Sequence, residues 1–152
     1  MSFEQRIIEL NIKLPEKVVV GAKYTPVKKT GKWLFVSGQI PMVETTPQFT
    51  GKVGNGRDIK YAQKAAELCI LNLLGTVRNF LGSLDEIEQF VKLQVFVNSE
   101  TGFQDQHLVA DTASDMLTTI FGDQGTHART TIGTNQLPMD VTVEIEAIIE
   151  VI

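Results

Sequence analysis

The sequence predicts an α+β protein built on one mixed β-sheet with two long helices on one face. Three observations support this fold class. Apolar residues recur at three- and four-residue steps over 58–81 and again over 103–121, which is typical of amphipathic helices. Residues 141–152 alternate strictly between two side-chain classes, which indicates a strand. Strands and helices then follow one another in a split β-α-β-β order.

Length and composition favour a single domain, residues 1–152, with a sizeable core. The chain has 152 residues, of which 43% are apolar and 21% charged, as in ordinary globular proteins. Its formal net charge is −4, whereas nucleic-acid binding requires a basic stripe on the surface. A nucleic-acid partner is therefore not expected. The charged N-terminus and the short apolar runs predict neither a signal peptide nor a membrane span. We therefore expect a cytoplasmic protein.

The N-terminal half contains a short helix, a hairpin and a long loop before the first long helix. Ser2 and Gln5 have the spacing of a capping box, which predicts a helix from Ser2 to Leu10. Pro15 is expected to end this N-terminal segment. The further elements predicted in this half are an extended run at 18–20, a loop at 21–24, hairpin strands at 25–30 and 32–39, and a loop at 41–57. The long helix over 58–81 is expected to end at Gly82.

The strand predicted over 87–98 is not simply polar on its second face. Val91, Leu93, Val95 and Val97 fall on one side, and Phe90 and Phe96 fall on the other. Two helices can cover only one face of a sheet. The apolar groups expected on the uncovered face are Phe90, Phe96, Ile148 and Ile152. Such a face indicates a partner surface, and the simplest partner is another copy of the chain.

The C-terminal stretch 127–152 is predicted to form a hairpin that closes around Leu137–Pro138. In that register Arg129 lies opposite Glu146, Thr131 opposite Glu144, and Ile132 opposite Val143. The result would be a polar row on one face. Strand geometry alone favours an exposed cross-strand ion pair for this row, with an anion-binding site as the alternative.

Most common catalytic motifs are missing from the sequence. His107 and His127 have no metal-ligand companions, and the glycine-rich segment 51–58 lacks the lysine of a phosphate-binding loop. Ser37 has no evident base, so it is interpreted as a hydrogen-bond donor. The single cysteine, Cys69, lies in an apolar helical run and is expected to be a buried, inert thiol.

Two blocks of sequence resemble a known family. The first is WLFVSGQIP over 33–41, with Tyr24 upstream, and the second is ART over 128–130 followed by LP at 137–138 and VEIEA at 143–147. Together they are similar to the reactive intermediate deaminases, also called the Rid or YjgF-like family or L-PSP endoribonucleases. The resemblance covers 18–152. Residues 1–17 would be a helical N-terminal extension typical of a longer subfamily.

The resemblance implies a fold, an assembly and a reaction. The fold is chorismate-mutase-like, and three copies pack their sheets together as a homotrimer, with the sites in clefts between subunits. The reaction is the hydrolysis of small enamines or imines, such as 2-aminoacrylate, to 2-keto acids and ammonia. It implies neither a cofactor nor a metal, and its substrate carries a carboxylate.

Four substrate-handling residues carry over by position in the two blocks. Arg129 matches the arginine that binds the substrate carboxylate, a task suited to a planar guanidinium. Tyr24 matches a tyrosine in the site wall, and Ser37 and Gly38 match residues that border the pocket.

The remaining positions concern the attacking water and one departure from the family. Glu144 matches the glutamate that orients the water and could serve as acid or base. Thr131 stands where many members have cysteine, and it is also expected in the substrate-binding site. An asparagine on the second long helix would fall near Ala110 or Asp111, so its polar contact has no clear equivalent here.

Three functions remain open from the sequence. The first is the enamine and imine deaminase. The second is a non-catalytic protein that binds a small carboxylate or keto acid in the same cleft. The third is the ribonuclease of the older family label, which the acidic balance and the lack of a histidine pair or metal site disfavour.

Overall fold

The computed structural model describes residues 1–17 and 23–152, so the predicted extended run at 18–20 and part of the 21–24 loop lie outside the described residues. The helices are α1 (Phe3–Glu9), α2 (Ile59–Leu81) and α3 (Gln106–Phe121), and the strands are β1 (Val27–Thr30), β2 (Trp33–Gln39), β3 (Met42–Val43), β4 (Thr46–Pro47), β5 (Ile87–Asn98), β6 (Ala128–Thr134) and β7 (Val143–Val151). Short 3₁₀ turns follow α2 and α3 and precede β7.

One five-stranded mixed sheet carries the fold, with the strand order β1-β2-β7-β5-β6. All pairings are antiparallel except β5 with β6, which is parallel. The helices α2 and α3 pack on one face of this sheet, and the core lies between them. The predicted α+β class with two long helices on one face is confirmed.

The alternation predicted for the last strand is present in β7. Val143, Ile145, Ala147, Ile149 and Val151 are buried, and the residues between them are half-buried. The apolar row lies against α2, which is why a side-chain period of two appears in the sequence.

The predicted C-terminal hairpin is wrong, because β6 does not pair with β7. Strand β5 lies between them: it pairs antiparallel with β7 on one edge and parallel with β6 on the other. The helix α3 carries the chain from β5 to β6 as a parallel crossover, and the connection 135–142 then passes back beyond the end of β5. Asn98, at that end and fully buried, bonds through Nδ2 to Asp140 Oδ1 and the Val141 carbonyl.

The placement of Phe90 on the uncovered face is also wrong. The pairing of β5 with β7 shifts register between Phe90 and Lys92, as at a β-bulge. The shift turns Phe90 into the core, where it is 1% exposed and packs against Phe121 at a ring distance of 5.0 Å. Val91 is only half-buried for the same reason.

The uncovered face is nevertheless richer in apolar groups than the sequence predicted. Trp33, Phe35 and Ile132 are 41%, 47% and 43% exposed. They join the half-buried Phe96 and Ile148, because Phe35 is the β2 partner of Ile148 and Ile132 is the β6 partner of Phe96. An exposed apolar face of this kind favours a partner surface, and the homotrimer stays a prediction.

The N-terminal helix α1 forms as predicted and packs against α3 and the 3₁₀ turn that follows α2. The capping box of Ser2 and Gln5 is complete. The carboxylate of Asp85 accepts hydrogen bonds from the backbone N–H groups of Phe3 and Glu4, so it caps the helix from a distant segment. Glu4 in turn accepts from the N–H of Leu84 and lies 3.7 Å from Arg78.

The segment after α1 runs across α2 in close contact. Pro15 lies over Gly75, where an added Cβ would approach within 2.7 Å of the proline Cγ and 2.9 Å of its carbonyl oxygen. Asn79 also donates a hydrogen bond to the Glu16 carbonyl. Residues 13–17 are called the N-terminal strap. A glycine stands at position 75 in the helix interior because the strap occupies the space that a side chain would fill. No helix within the described ranges is long and apolar enough to cross a membrane.

We expect Gly75→Ala to destabilise the protein, by about 1–3 kcal/mol, because the new methyl group overlaps Pro15. An unobstructed glycine inside a helix would respond in the opposite direction, gaining roughly 0.5–1 kcal/mol. Urea unfolding monitored by circular dichroism measures the sign. A higher unfolding midpoint in Gly75→Ala would show that Pro15 does not rest on the helix.

Candidate functional site between the sheet and the N-terminal strap

Four of the six predicted site residues line one cleft. Tyr24, Ser37, Gly38 and Glu144 come together beside the strap residues 13–17, with Glu146, Asn72 and Met139 also on the walls. Tyr24 precedes β1, Ser37 and Gly38 belong to β2, and Glu144 belongs to β7. The cleft therefore joins both sequence blocks.

A break in the β2–β7 ladder shapes the floor of the cleft. The register shifts between Val36 and Gln39, which releases Ser37 and Gly38 from regular pairing. The hydroxyl of Ser37 donates to the Thr25 carbonyl at 3.1 Å. At Gly38 a Cβ would overlap Oε1 of Glu144 and lie 2.9 Å from its Cδ. The glycine thus leaves the space that the Glu144 carboxyl occupies.

The electrostatic setting of Glu144 suits proton transfer. Burial raises the pKa of this carboxyl, and the neighbouring charge of Glu146 raises the pKa further. Glu144 and Glu146 project from the same face of β7, two residues apart. A carboxyl whose pKa lies above its usual range holds and releases protons nearer to neutral pH.

Arg129 and Thr131 are not in this cleft within one chain. They pair with Leu93 and Val95 of β5, so they share the helix-covered face of the sheet, whereas Glu144 lies on the opposite face. Two strand spacings, about 10 Å, separate β6 from β7. The predicted polar row that placed Arg129 opposite Glu146 and Thr131 opposite Glu144 is therefore wrong.

The guanidinium of Arg129 is held against α3. Its Nη1 donates to the Ser114 hydroxyl at 2.9 Å, and its Nη2 donates to Oδ1 of Asp111 at 3.0 Å and to the His107 carbonyl at 3.4 Å. The pair with Asp111 is a salt bridge in which the arginine side chain is 22% exposed and the aspartate side chain 50%. The guanidinium of Arg129, called the Arg129 clamp below, is thus accessible to solvent at the edge strand of the sheet.

His127 connects Ser114, the hydroxyl partner of Arg129, to the backbone at Gly125. Its Nδ1 lies 2.7 Å from the Gly125 carbonyl, and its Nε2 lies 3.0 Å from the Ser114 hydroxyl. Because the carbonyl only accepts, Nδ1 carries the proton, and Ser114 then donates to Nε2 while it accepts from Arg129. Burial lowers the His127 pKa, which favours this neutral form.

The hydroxyl of Thr131 is buried and makes no hydrogen bond within the described residues. It lies two residues from Arg129 on the same strand face, which is about 7 Å along the strand. A buried hydroxyl without a partner is costly and uncommon in folded proteins. Thr131 therefore offers a free donor and acceptor beside the clamp.

The sequence left the helix contact of Arg129 unresolved. Ala110 is fully buried in the core, and Asp111 is the residue that reaches the guanidinium. Ser114 was missed, although its spacing of three residues from Asp111 places both on one helix face. His127 was considered as a metal ligand, for which it has no companions in the sequence. Among the residues described, no group of three or more His, Cys, Asp or Glu side chains is arranged to hold a metal ion.

The mixed sheet, its two covering helices and the cleft at the β2 bulge define a chorismate-mutase-like protein. Residues 4–150 match the family described as "YjgF/chorismate mutase-like, putative endoribonuclease". The chain belongs to this family. The recognition of a YjgF-like protein from the two sequence blocks is thereby confirmed.

Three relatives illustrate the match. Protein TCP17 of Trypanosoma cruzi is 38% identical over 142 residues, which cover 93% of this chain and 89% of that protein. The crystal structure of Atu1372 from Agrobacterium tumefaciens, a protein of unknown function, has a TM-score of 0.90 at 42% identity and covers 99% of this chain and 92% of that one. TdcF of E. coli, solved with bound serine, has a TM-score of 0.59 at 26% identity and covers 86% of this chain and 90% of that one.

We expect Gly38→Ala to turn the Glu144 carboxyl out of its position with little loss of stability. The new Cβ meets the end of a flexible side chain, so we expect the free energy of unfolding to fall by no more than about 1.5 kcal/mol. A crystal structure of the variant and its urea midpoint measure both effects. An unmoved Glu144 with a displaced β2 backbone would contradict this expectation.

We expect Glu146→Gln to lower the pKa of Glu144, because it removes the nearby negative charge that helps to raise that pKa. Burial remains, so the Glu144 pKa should stay above its usual range. The titration of the Glu144 carboxyl carbon, followed by NMR, reports the change. Glu150→Gln is the matched control on the same strand, and an equal shift in both variants would refute the assignment to Glu146.

Proposed function

We propose that this protein hydrolyses small, reactive imines and enamines that carry a carboxylate, releasing a 2-keto acid and ammonia. The observation that carries the proposal is the Glu144 carboxyl, which lies in the cleft over Gly38 with its pKa raised by burial. Enamines of the 2-aminoacrylate type enter the reaction through their imine tautomers. The reaction needs only water and proton transfer, and no cofactor or metal is invoked.

Glu144 would act first as a base and then as an acid. Its carboxylate takes a proton from a water molecule, whose oxygen forms a bond to the imine carbon, C2. Glu144 passes that proton to the imine nitrogen, and a carbinolamine forms. Glu144 then takes the proton of the carbinolamine hydroxyl and delivers it to the amino nitrogen. The C–N bond breaks with its electrons on nitrogen, so ammonia leaves, and the C2–O bond becomes the carbonyl of the 2-keto acid.

Arg129 would bind the substrate carboxylate, with Thr131 beside it. Since Arg129 lies at the edge strand and on the opposite face from Glu144, one chain does not complete the site. We propose that a homotrimer joins the β6 edge of one subunit to the cleft of Tyr24, Ser37, Gly38 and Glu144 in the next. The exposed Trp33 and Phe35 support such an assembly.

The comparisons support a small carboxylate-bearing ligand. E. coli TdcF, which is similar to this chain in sequence and fold, holds serine in its crystal structure. Serine has a carboxylate and a nitrogen on C2, as the proposed imines do. Two similar solved structures, from Shewanella oneidensis and Thermotoga maritima, are each described as a "putative endoribonuclease". We do not propose RNA as the substrate because the chain carries a formal net charge of −4.

The alternative proposal is non-catalytic binding of a carboxylate or keto acid in the same composite cleft. One observation favours it: the buried Thr131 hydroxyl has no hydrogen-bond partner among the described residues, and beside Arg129 it can donate to a ligand carboxylate without any catalytic step. Hydrolysis measurements decide between the two.

We expect Arg129→Lys and Glu144→Gln each to reduce kcat/KM for 2-iminobutyrate by roughly 100-fold or more, because the planar clamp or the proton carrier is lost. The imine is generated in situ by a threonine dehydratase, and semicarbazide trapping measures how fast it disappears. Arg57→Lys changes an arginine outside the cleft and serves as the matched control. Wild-type protein that does not accelerate hydrolysis would exclude the deaminase and leave the binding alternative.

Mixing the two inactive variants tests whether the site spans subunits. After unfolding and refolding together, chains with Arg129→Lys and chains with Glu144→Gln should regain roughly a quarter of the sites, those that combine the intact residue of each chain. Light scattering should give the mass of three chains. A monomer mass, or no recovered activity in the mixture, would contradict the composite site.

A further inference from the structure

The ion pair between Arg129 and Asp111 limits how Arg129 can bind a carboxylate. A guanidinium holds a carboxylate best through two parallel N–H bonds along one edge. Two edges permit this, one formed by Nε and Nη2 and the other by Nη1 and Nη2, because the side chain blocks the third. Both usable edges include Nη2, which donates to Asp111 Oδ1 at 3.0 Å and to the His107 carbonyl at 3.4 Å.

The donors that remain free do not form an edge. One hydrogen on Nη1 bonds Ser114, so the donors of Arg129 without an acceptor among the described residues are the other Nη1 hydrogen and Nε–H. A carboxylate that meets Arg129 in this state gains a single charged hydrogen bond, or it must displace Asp111. A keto acid, which has no positive charge or N–H donor near its carboxylate, would also meet the negative charge of Asp111 at close range.

Asp111 itself is open to a ligand on its other side. Its side chain is 50% exposed, only Oδ1 has a hydrogen-bond partner within the described residues, and it stands at the rim of the clamp. The free oxygen can accept a hydrogen bond from an ammonium, iminium or imine N–H group on the carbon next to a bound carboxylate. The pair of opposite charges therefore matches a ligand that carries both charges.

We propose that Asp111 is a specificity-determining residue that makes the Arg129 clamp select 2-imino and 2-amino acids over 2-keto acids. The proposal rests on the proposed function in placing the ligand carboxylate at Arg129. The Asp111 carboxylate would also promote product release, because hydrolysis replaces the nitrogen that Asp111 binds with an oxygen that Asp111 repels.

The surrounding contacts indicate that Asp111 is not needed to hold Arg129 in place. Ser114 holds Nη1, and the chain of hydrogen bonds through His127 to the Gly125 carbonyl fixes Ser114. Removal of the Asp111 charge should therefore leave the guanidinium oriented, and it should weaken the competition for Nη2, since a neutral amide oxygen is a poorer acceptor than a carboxylate. This separates a selective role for Asp111 from a purely structural one.

The test compares two probes that differ only at C2, L-2-aminobutyrate and 2-oxobutyrate, by isothermal titration calorimetry. In the wild-type protein we expect the amino acid to bind more tightly. In Asp111→Asn we expect the Kd for 2-oxobutyrate to fall by roughly tenfold and the preference to disappear or reverse. Asp115→Asn removes the same charge one helical turn away, at an exposed position, and should leave both Kd values unchanged.

Two outcomes overturn the inference. An unchanged ratio of the two Kd values in Asp111→Asn would show that the charge does not select the ligand. Weaker binding of both probes would show that Asp111 orients Arg129 instead. If imine hydrolysis depends on Arg129 and either outcome is also observed, the selective role of Asp111 is rejected and the proposed deaminase function is retained. Conversely, a ratio that responds to Asp111→Asn without any hydrolysis would reject the deaminase and keep the selective binding site.

Discussion

The pairing of β5 with β7 on one edge and β6 on the other is the constraint on which the rest of the structure depends. It places the longest strand, β5, between β7 and the edge strand β6, with α2 packed over β7 and β2 and α3 packed over β5 and β6. It also moves β6 to the sheet edge and turns Arg129 towards α3. The buried amide of Asn98 satisfies the backbone where the chain crosses the end of β5, which keeps this arrangement closed.

The same pairing divides the candidate site into two halves. The cleft half has a proton-transfer group, Glu144, whose raised pKa comes from burial beside Glu146. The edge half has a cation, Arg129, balanced by Asp111 and supported by Ser114. The chemistry of the two halves is complementary only when a second subunit brings them together, so assembly and function are linked in this proposal.

The sequence reached different parts of the site with different success. The blocks around Ser37 and Glu144 predicted four residues that do meet in one cleft. Arg129 and Thr131 were placed in the wrong local row, because a short connection between two strands normally predicts a hairpin. Thr131 also has a buried hydroxyl without a hydrogen-bond partner in the part of the chain that the structure describes, a feature that no sequence pattern reveals. The Asp111 contact required the helix to be positioned against β6, and only the spacing of Asp111 and Ser114 indicated it beforehand.

By itself the sequence determined the elements and the family. Side-chain periodicity fixed α2, α3 and β7, and the capping residues Ser2 and Gly82 fixed helix ends, because these are local preferences of the chain. Only the tertiary structure decided which strands are neighbours, since β5 has two edges and the sequence does not state which partner takes each. It also decided that Phe90 turns inward at a bulge and that Arg129 faces Asp111 rather than Glu146. Those outcomes depend on burial summed over the whole sheet, which no single segment contains.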